Sequence, residues 1–137
     1  PPRSTLFPYT TLFRSLNDVA PKRVLFQIAR GDQWIPNPVS SSLVRAAFSW
    51  ETTSVYRHDR ARGVQPILPA DPHAFLAFQL SPVSAPIGAA TFQQALGFLE
   101  SGMNLVPNVN PLLRPLFGGM DLFETPAFLP EDPGYLP

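Results

Sequence analysis

Lys22-Arg23-Val24-Leu25-Phe26-Gln27-Ile28-Ala29-Arg30-Gly31-Asp32 is the stretch on which the fold turns. Its continuous Val-Leu-Phe-x-Ile-Ala run, led by two basic residues, suits a strand buried on both faces, the pattern of a central strand in a parallel sheet. Gly31 ends the run where the backbone must turn. Asp32 then falls at the carboxyl end of the strand, where open α/β sheets bind ligands. Ile35-Pro36-Asn37-Pro38 follows as a rigid turn able to lead into a helix.

Working outward, Ser40, Ser41 or Ser42 is expected to cap Leu43-Val44-Arg45-Ala46-Ala47-Phe48, whose apolar residues lie at helical spacing. A second strand is read over Ser54-Val55-Tyr56-Arg57-His58-Asp59, where β-branched and aromatic residues alternate with polar ones. Residues 60–72 read as loop, punctuated by Gly63, Pro66, Pro69 and Pro72. A short apolar stretch begins at His73. The strongest helix pattern runs from Ala85 to Glu100: Pro86 suits its first turn, Gly102 its stop, and Ile87, Ala90, Phe92, Ala95, Leu96 and Leu99 are expected mainly on one side. Strand, helix, strand, loop, helix is an alternating α/β order. Two parallel strands alone leave an unpaired edge and an uncovered apolar face. From residue 103 onward prolines recur at 107, 111, 115, 126, 130, 133 and 137, and Arg114 is the only basic residue. No helical or strand period persists there, so 103–137 is expected to be a Pro-rich tail, lying on the body or mobile. PLLRPLF at 111–117 also fits a polyproline recognition segment.

With 137 residues the chain is one domain at most. Ten basic residues balance ten acidic ones, which gives no general reason to expect nucleic acid or an anionic membrane as partner. No apolar run is long enough for a transmembrane helix. The absence of cysteine excludes disulfides, thiolate metal sites and a cysteine nucleophile, and leaves the compartment open. Eighteen prolines are two to three times the usual ~5%, which implies much loop.

Residues 1–15, PPRSTLFPYTTLFRS, carry no sustained period and no secretory-signal pattern. They resemble, without a mismatch, the conceptual translation of a common short-read sequencing adapter. That resemblance implies a natural sequence beginning at Leu16, with eight basic residues against ten acidic, and protein upstream of it that is missing. Residues 16–102 are then expected to form a partial domain.

The most informative spacing is Gly31-Asp32-x-x-Ile35-Pro36 after the first strand, with His73 beyond the second. A carboxylate accepting the Nδ1 proton of a histidine holds its tautomer and stabilises the imidazolium, leaving Nε2 to take a proton from a serine. Asp32 equally suits a turn cap, and His73 a packed loop histidine. His58 competes with His73, although its neighbours Arg57 and Asp59 suit a surface pair. Trp34 and Trp50 suit either an acyl pocket or ordinary rim positions. Arg57, Arg60 and Arg62 read as a solvated loop rather than a phosphate site, and no glycine-rich phosphate loop occurs. Asp59 and Asp71 beside two histidines 15 residues apart are too few for a zinc site.

Residues 22–73 resemble the C-terminal third of an α/β-hydrolase, in which the acid follows the penultimate core strand and the histidine follows the last, before a closing helix. Asp32 with Ile35-Pro36 matches the acid position, although Gly31 directly precedes it rather than standing three residues ahead. His73 in Asp71-Pro72-His73-Ala74-Phe75 matches the histidine position, 85–100 matches the closing helix, and acid before histidine is the order of that fold. Closer still is the likeness to bacterial extracellular lipases and esterases. The resemblance implies a catalytic pair of Asp32 and His73, an ester or lipid substrate, no metal or organic cofactor, and a secreted or cell-envelope setting. It also implies a serine elbow, and no G-x-S-x-G occurs. Serines 40, 41, 42, 49, 54, 81, 84 and 101 follow the acid, where the fold does not place its nucleophile. The expectation is therefore an α/β-hydrolase fragment that holds acid and histidine, lacks the nucleophile, and is inactive alone. A serine peptidase of the same fold, or a binding domain that recruits a partner through its Pro-rich tail, is the alternative.

Overall fold

A computed structural model describes residues 22–135. The adapter-like residues 1–15 and the expected start at Leu16 lie outside that range. The elements run β1 (Phe26–Ala29), α1 (Asn37–Ala47), β2 (Thr53–Tyr56), α2 (His58–Val64), α3 (Ala85–Ser101), α4 (Asn110–Leu113) and β3 (Phe123–Glu124). Short 3-10 turns occupy Trp50–Thr52 and Phe75–Leu80. Together they form an α/β arrangement around a small mixed sheet in the order β1-β2-β3.

β1 and β2 pair in parallel, with Phe26 opposite Thr53 and Ala29 opposite Tyr56. The expected strand is shorter than the apolar run: only its second half pairs, and Val24 and Leu25 lead in half-buried. Side chains alternate across the sheet. On one face Ala29 and Tyr56 join Ile87 and Ala90 of α3 in the main core. Ile28 and Val55, opposite each other in the register, point to the other face and are buried as well. α1 packs on β1 and buries Val44 and Ala47.

Three expectations need correction. α1 begins at Asn37, not after the serines: Pro38, in its first turn, sets the helical φ, so Ser40, Ser41 and Ser42 stand inside the helix rather than at its cap. The second strand stops at Tyr56, and His58–Val64 is helical where strand and then loop were expected. Buried Ala61 fixes that short helix to the core. In α3 the buried stripe is Ile87, Ala90, Thr91, Gln94 and Phe98, whereas Phe92, Leu96 and Leu99 are exposed. Two polar residues sit on the inner face because each finds a partner. Thr91 Oγ1 donates to Ile87 O, the Gln94 amide donates to Pro107 O, and Gln94 Oε1 accepts from Gln27.

The tail after residue 102 lies on the body. It supplies Val109, Leu113, Phe117, Leu122 and Phe123 to the main core, and β3 pairs antiparallel with β2, covering that edge. Phe123 stacks on Tyr56 at 5.4 Å, and Phe75 stacks on the same ring at 5.1 Å. Further on, Ser41 donates to Pro130 O at 2.6 Å, and Arg45 and Arg30 pair with Glu131 and Asp132. The chain therefore returns over α1 and the end of β1. Gly31 has φ +88°, and a Cβ there would stand 2.7 Å from Gly134 O. Only glycine satisfies both the turn and that contact.

Among the described residues, no helix is long and apolar enough to cross a membrane.

Candidate active site

The loop after β1 is held by its own side chains bonding its own backbone. Asn37, fully buried, donates to Ala29 O at 2.7 Å and accepts from Gly31 N at 3.0 Å, which ends the strand and fixes the turn. Asp32 then accepts from Trp34 N at 2.9 Å and Ile35 N at 2.8 Å through Oδ1. This turn cap does not consume the carboxylate. His73 Nδ1 lies 3.1 Å from each of Oδ1 and Oδ2. Asp32 and His73 come together across 41 residues because β1 and β2 are parallel neighbours and both loops leave the same end of the sheet.

A carboxylate only accepts, so Nδ1 carries the proton and Nε2 presents its lone pair. The Asp32 side chain is 13% exposed and that of His73 37%, so the acid is sheltered and the imidazole reaches outward. Ala74, next in the chain, is held at φ 55°, a left-handed conformation uncommon for a residue with a Cβ and often found at functional sites. Trp34 stacks on the imidazole at 5.6 Å. The pair opens on a cleft of about 280 Å³ whose lining includes Ile35, Ser40, Ala74, Phe75 and Leu76.

The other expected participants go elsewhere. His58 is fully buried, not a surface pair. Its Nε2–H donates to Pro69 O at 2.7 Å and its Nδ1 accepts from the Tyr56 hydroxyl at 3.1 Å, so both ring nitrogens are engaged. Arg57 pairs instead with Asp59 and Glu124, and Arg60 also reaches Glu124. Those arginines brace α2 against β3 rather than standing in a solvated loop. Trp50 packs edge-on against Phe48 and lines a separate groove with Phe128 and Leu129. Of the eight serines that follow Asp32, Ser40 lines the cleft, and no hydrogen bond joins it to His73 among the described residues. Asp71 was overlooked as a partner: its Oδ1 accepts from His73 N and Gln33 N. An Asp two residues before the histidine was the available signal.

Burial holds the His58 imidazole below its ordinary value, and the Pro69 carbonyl and nearby carboxylates only partly oppose it. The unfolded chain takes up that proton near pH 6.5 and the folded chain at lower pH. His58 therefore contributes stability above about pH 6.5 that is lost as pH falls through its folded value. The melting temperature is expected to drop between pH 7 and 5, and His58→Gln, which keeps a donor and an acceptor, to flatten that slope. An unchanged slope in the variant counts against this assignment.

No family model, curated protein or solved structure matches the chain. The class it presents is set by its geometry: an α/β body with an Asp–His pair on loops at one edge of two parallel strands.

Proposed function

We propose that the chain is the C-terminal part of an α/β-hydrolase acting on carboxylic esters, with His73 as general base and then acid and Asp32 as the carboxylate that orients it. The observation that carries this reading is the contact of Nδ1 with both Asp32 oxygens at 3.1 Å, beside a cleft. The nucleophile is a serine from sequence upstream of Leu16. Its hydroxyl gives a proton to Nε2 as Oγ attacks the ester carbonyl, and Asp32 stabilises the imidazolium that forms. Nε2–H then protonates the departing alkoxide, leaving an acyl-serine. Water then attacks the acyl carbon, giving a proton to Nε2, and Nε2–H returns it to the serine Oγ as the C–Oγ bond breaks, freeing the acid. Ile35 and Leu76 offer apolar wall for an acyl chain.

Reading the frame upstream of the Leu16 codon and expressing the completed protein tests this. The expected result is a G-x-S-x-G segment, hydrolysis of p-nitrophenyl esters, and fluorophosphonate labelling at its serine, with residues 16–137 alone inert to both. A frame without such a serine overturns the proposal, and peptide cleavage without ester cleavage moves it to a peptidase. Labelling of Ser40 in the short chain contradicts an upstream nucleophile.

A further inference from the structure

We infer that Asp71 is a positioning residue that locks His73 onto Asp32, an inference that rests on the reading of that pair as a catalytic one. Two backbone amides converge on one oxygen of Asp71. His73 N donates to Oδ1 at 2.9 Å, a local turn of the kind Asp often makes. Gln33 N, 38 residues away, donates to the same oxygen at 3.2 Å. The second bond has no local explanation. It ties the residue after the acid to Asp71, two residues before the base.

The consequence is a closed ring of contacts. Asp32 grips Nδ1 of His73, and Asp71 grips the backbone of His73 together with that of Gln33, the residue following Asp32. Neither loop can shift along the other without breaking one of these bonds. Pro72, buried between Asp71 and His73, adds a fixed φ to the same link. Trp34 closes the face of the ring. An acceptor at position 71 is therefore what keeps the imidazole at hydrogen-bonding distance from the acid, and neutral Asn supplies it as well as Asp.

The test is a proton count on His73 in the full chain by ¹⁵N-histidine NMR, with His58 as internal reference. Wild type is expected to show an Nδ1–H tautomer at His73 and an Nε2–H tautomer at His58. Asp71→Ala is expected to raise exchange of the His73 Nδ1 proton with solvent about tenfold, the scale of one lost hydrogen bond, while the His58 tautomer, set by Tyr56 and Pro69, is unchanged. Asp71→Asn is expected to stay within about twofold of wild type, because its carbonyl accepts the same amides. Unaltered exchange in Asp71→Ala overturns the inference and leaves the catalytic reading standing. Loss of the His58 tautomer in Asp71→Ala also overturns it, since the carboxylate would then support the fold rather than the histidine. Absence of the Nδ1–H tautomer in wild type removes the Asp32–His73 pair itself, and the proposed function falls with it.

Discussion

Replacing His73 by Ala in the completed protein is expected to lower kcat on p-nitrophenyl esters by about 10⁴ or more, with KM changed little. The imidazole moves the proton at both acyl-transfer steps, so its loss acts on the transition state and leaves ground-state binding largely intact. Asp32→Asn is expected to be nearly as severe, about 10⁴ in kcat. Its amide nitrogen can turn a donor toward Nδ1, which favours the proton on Nε2, the wrong nitrogen for a base. The Trp34 and Ile35 amides still find an acceptor in the Asn carbonyl, so the turn is kept and the loss is chemical. Circular dichroism should overlay wild type for both variants. A fall of less than tenfold in either, with folding intact, would return Asp32 and His73 to structural roles.

That pair was legible because it lies where strand ends are legible. A doubly buried apolar run, a glycine and an acid mark the end of β1 in the sequence, and the parallel pairing of β1 with β2 brings the next strand's loop beside it. What escaped is the polar interior. On α3 hydrophobic period alone put Phe92, Leu96 and Leu99 on one side with Ile87 and Ala90, and gave no place to Thr91 and Gln94. Their true placement depends on partners on other elements, Gln27 and Pro107. His58 misled for the same reason. Its neighbours in sequence are charged, but its partners are Tyr56 and the Pro69 carbonyl. The burial that pushes the Tyr56 phenol above its ordinary value keeps that hydroxyl a donor. The tail hid its order because prolines interrupt every period, and its helix and strand are too short to show one.

One tail signal does repeat. Asn37-Pro38 and Asn110-Pro111 each open a helix, and each buried Asn closes backbone groups of a nearby strand or turn. Asn110 is the more heavily used. Its Oδ1 accepts from Leu122 N at 2.9 Å and Phe123 N at 2.8 Å, and its Nδ2 donates to Phe123 O at 2.7 Å. Asn110→Ala strands three backbone groups at the start of β3. A buried group left unpaired costs about 1–3 kcal/mol, and the cleft that Asn110 lines can admit water to part of them. The expected loss is about 2–4 kcal/mol in urea unfolding, with the slope unchanged. Asn108→Ala, which removes one bond to Asn110 N from an exposed position, is expected to cost under about 1 kcal/mol. Equal costs for the two would refute the role given to Asn110. The effect reaches the site by a physical route. Phe123 stacks on Tyr56, the Tyr56 hydroxyl holds His58, and His58 holds the Pro69 carbonyl four residues before His73. Loosening β3 should therefore speed exchange of the His73 Nδ1 proton in Asn110→Ala without touching any group that contacts it.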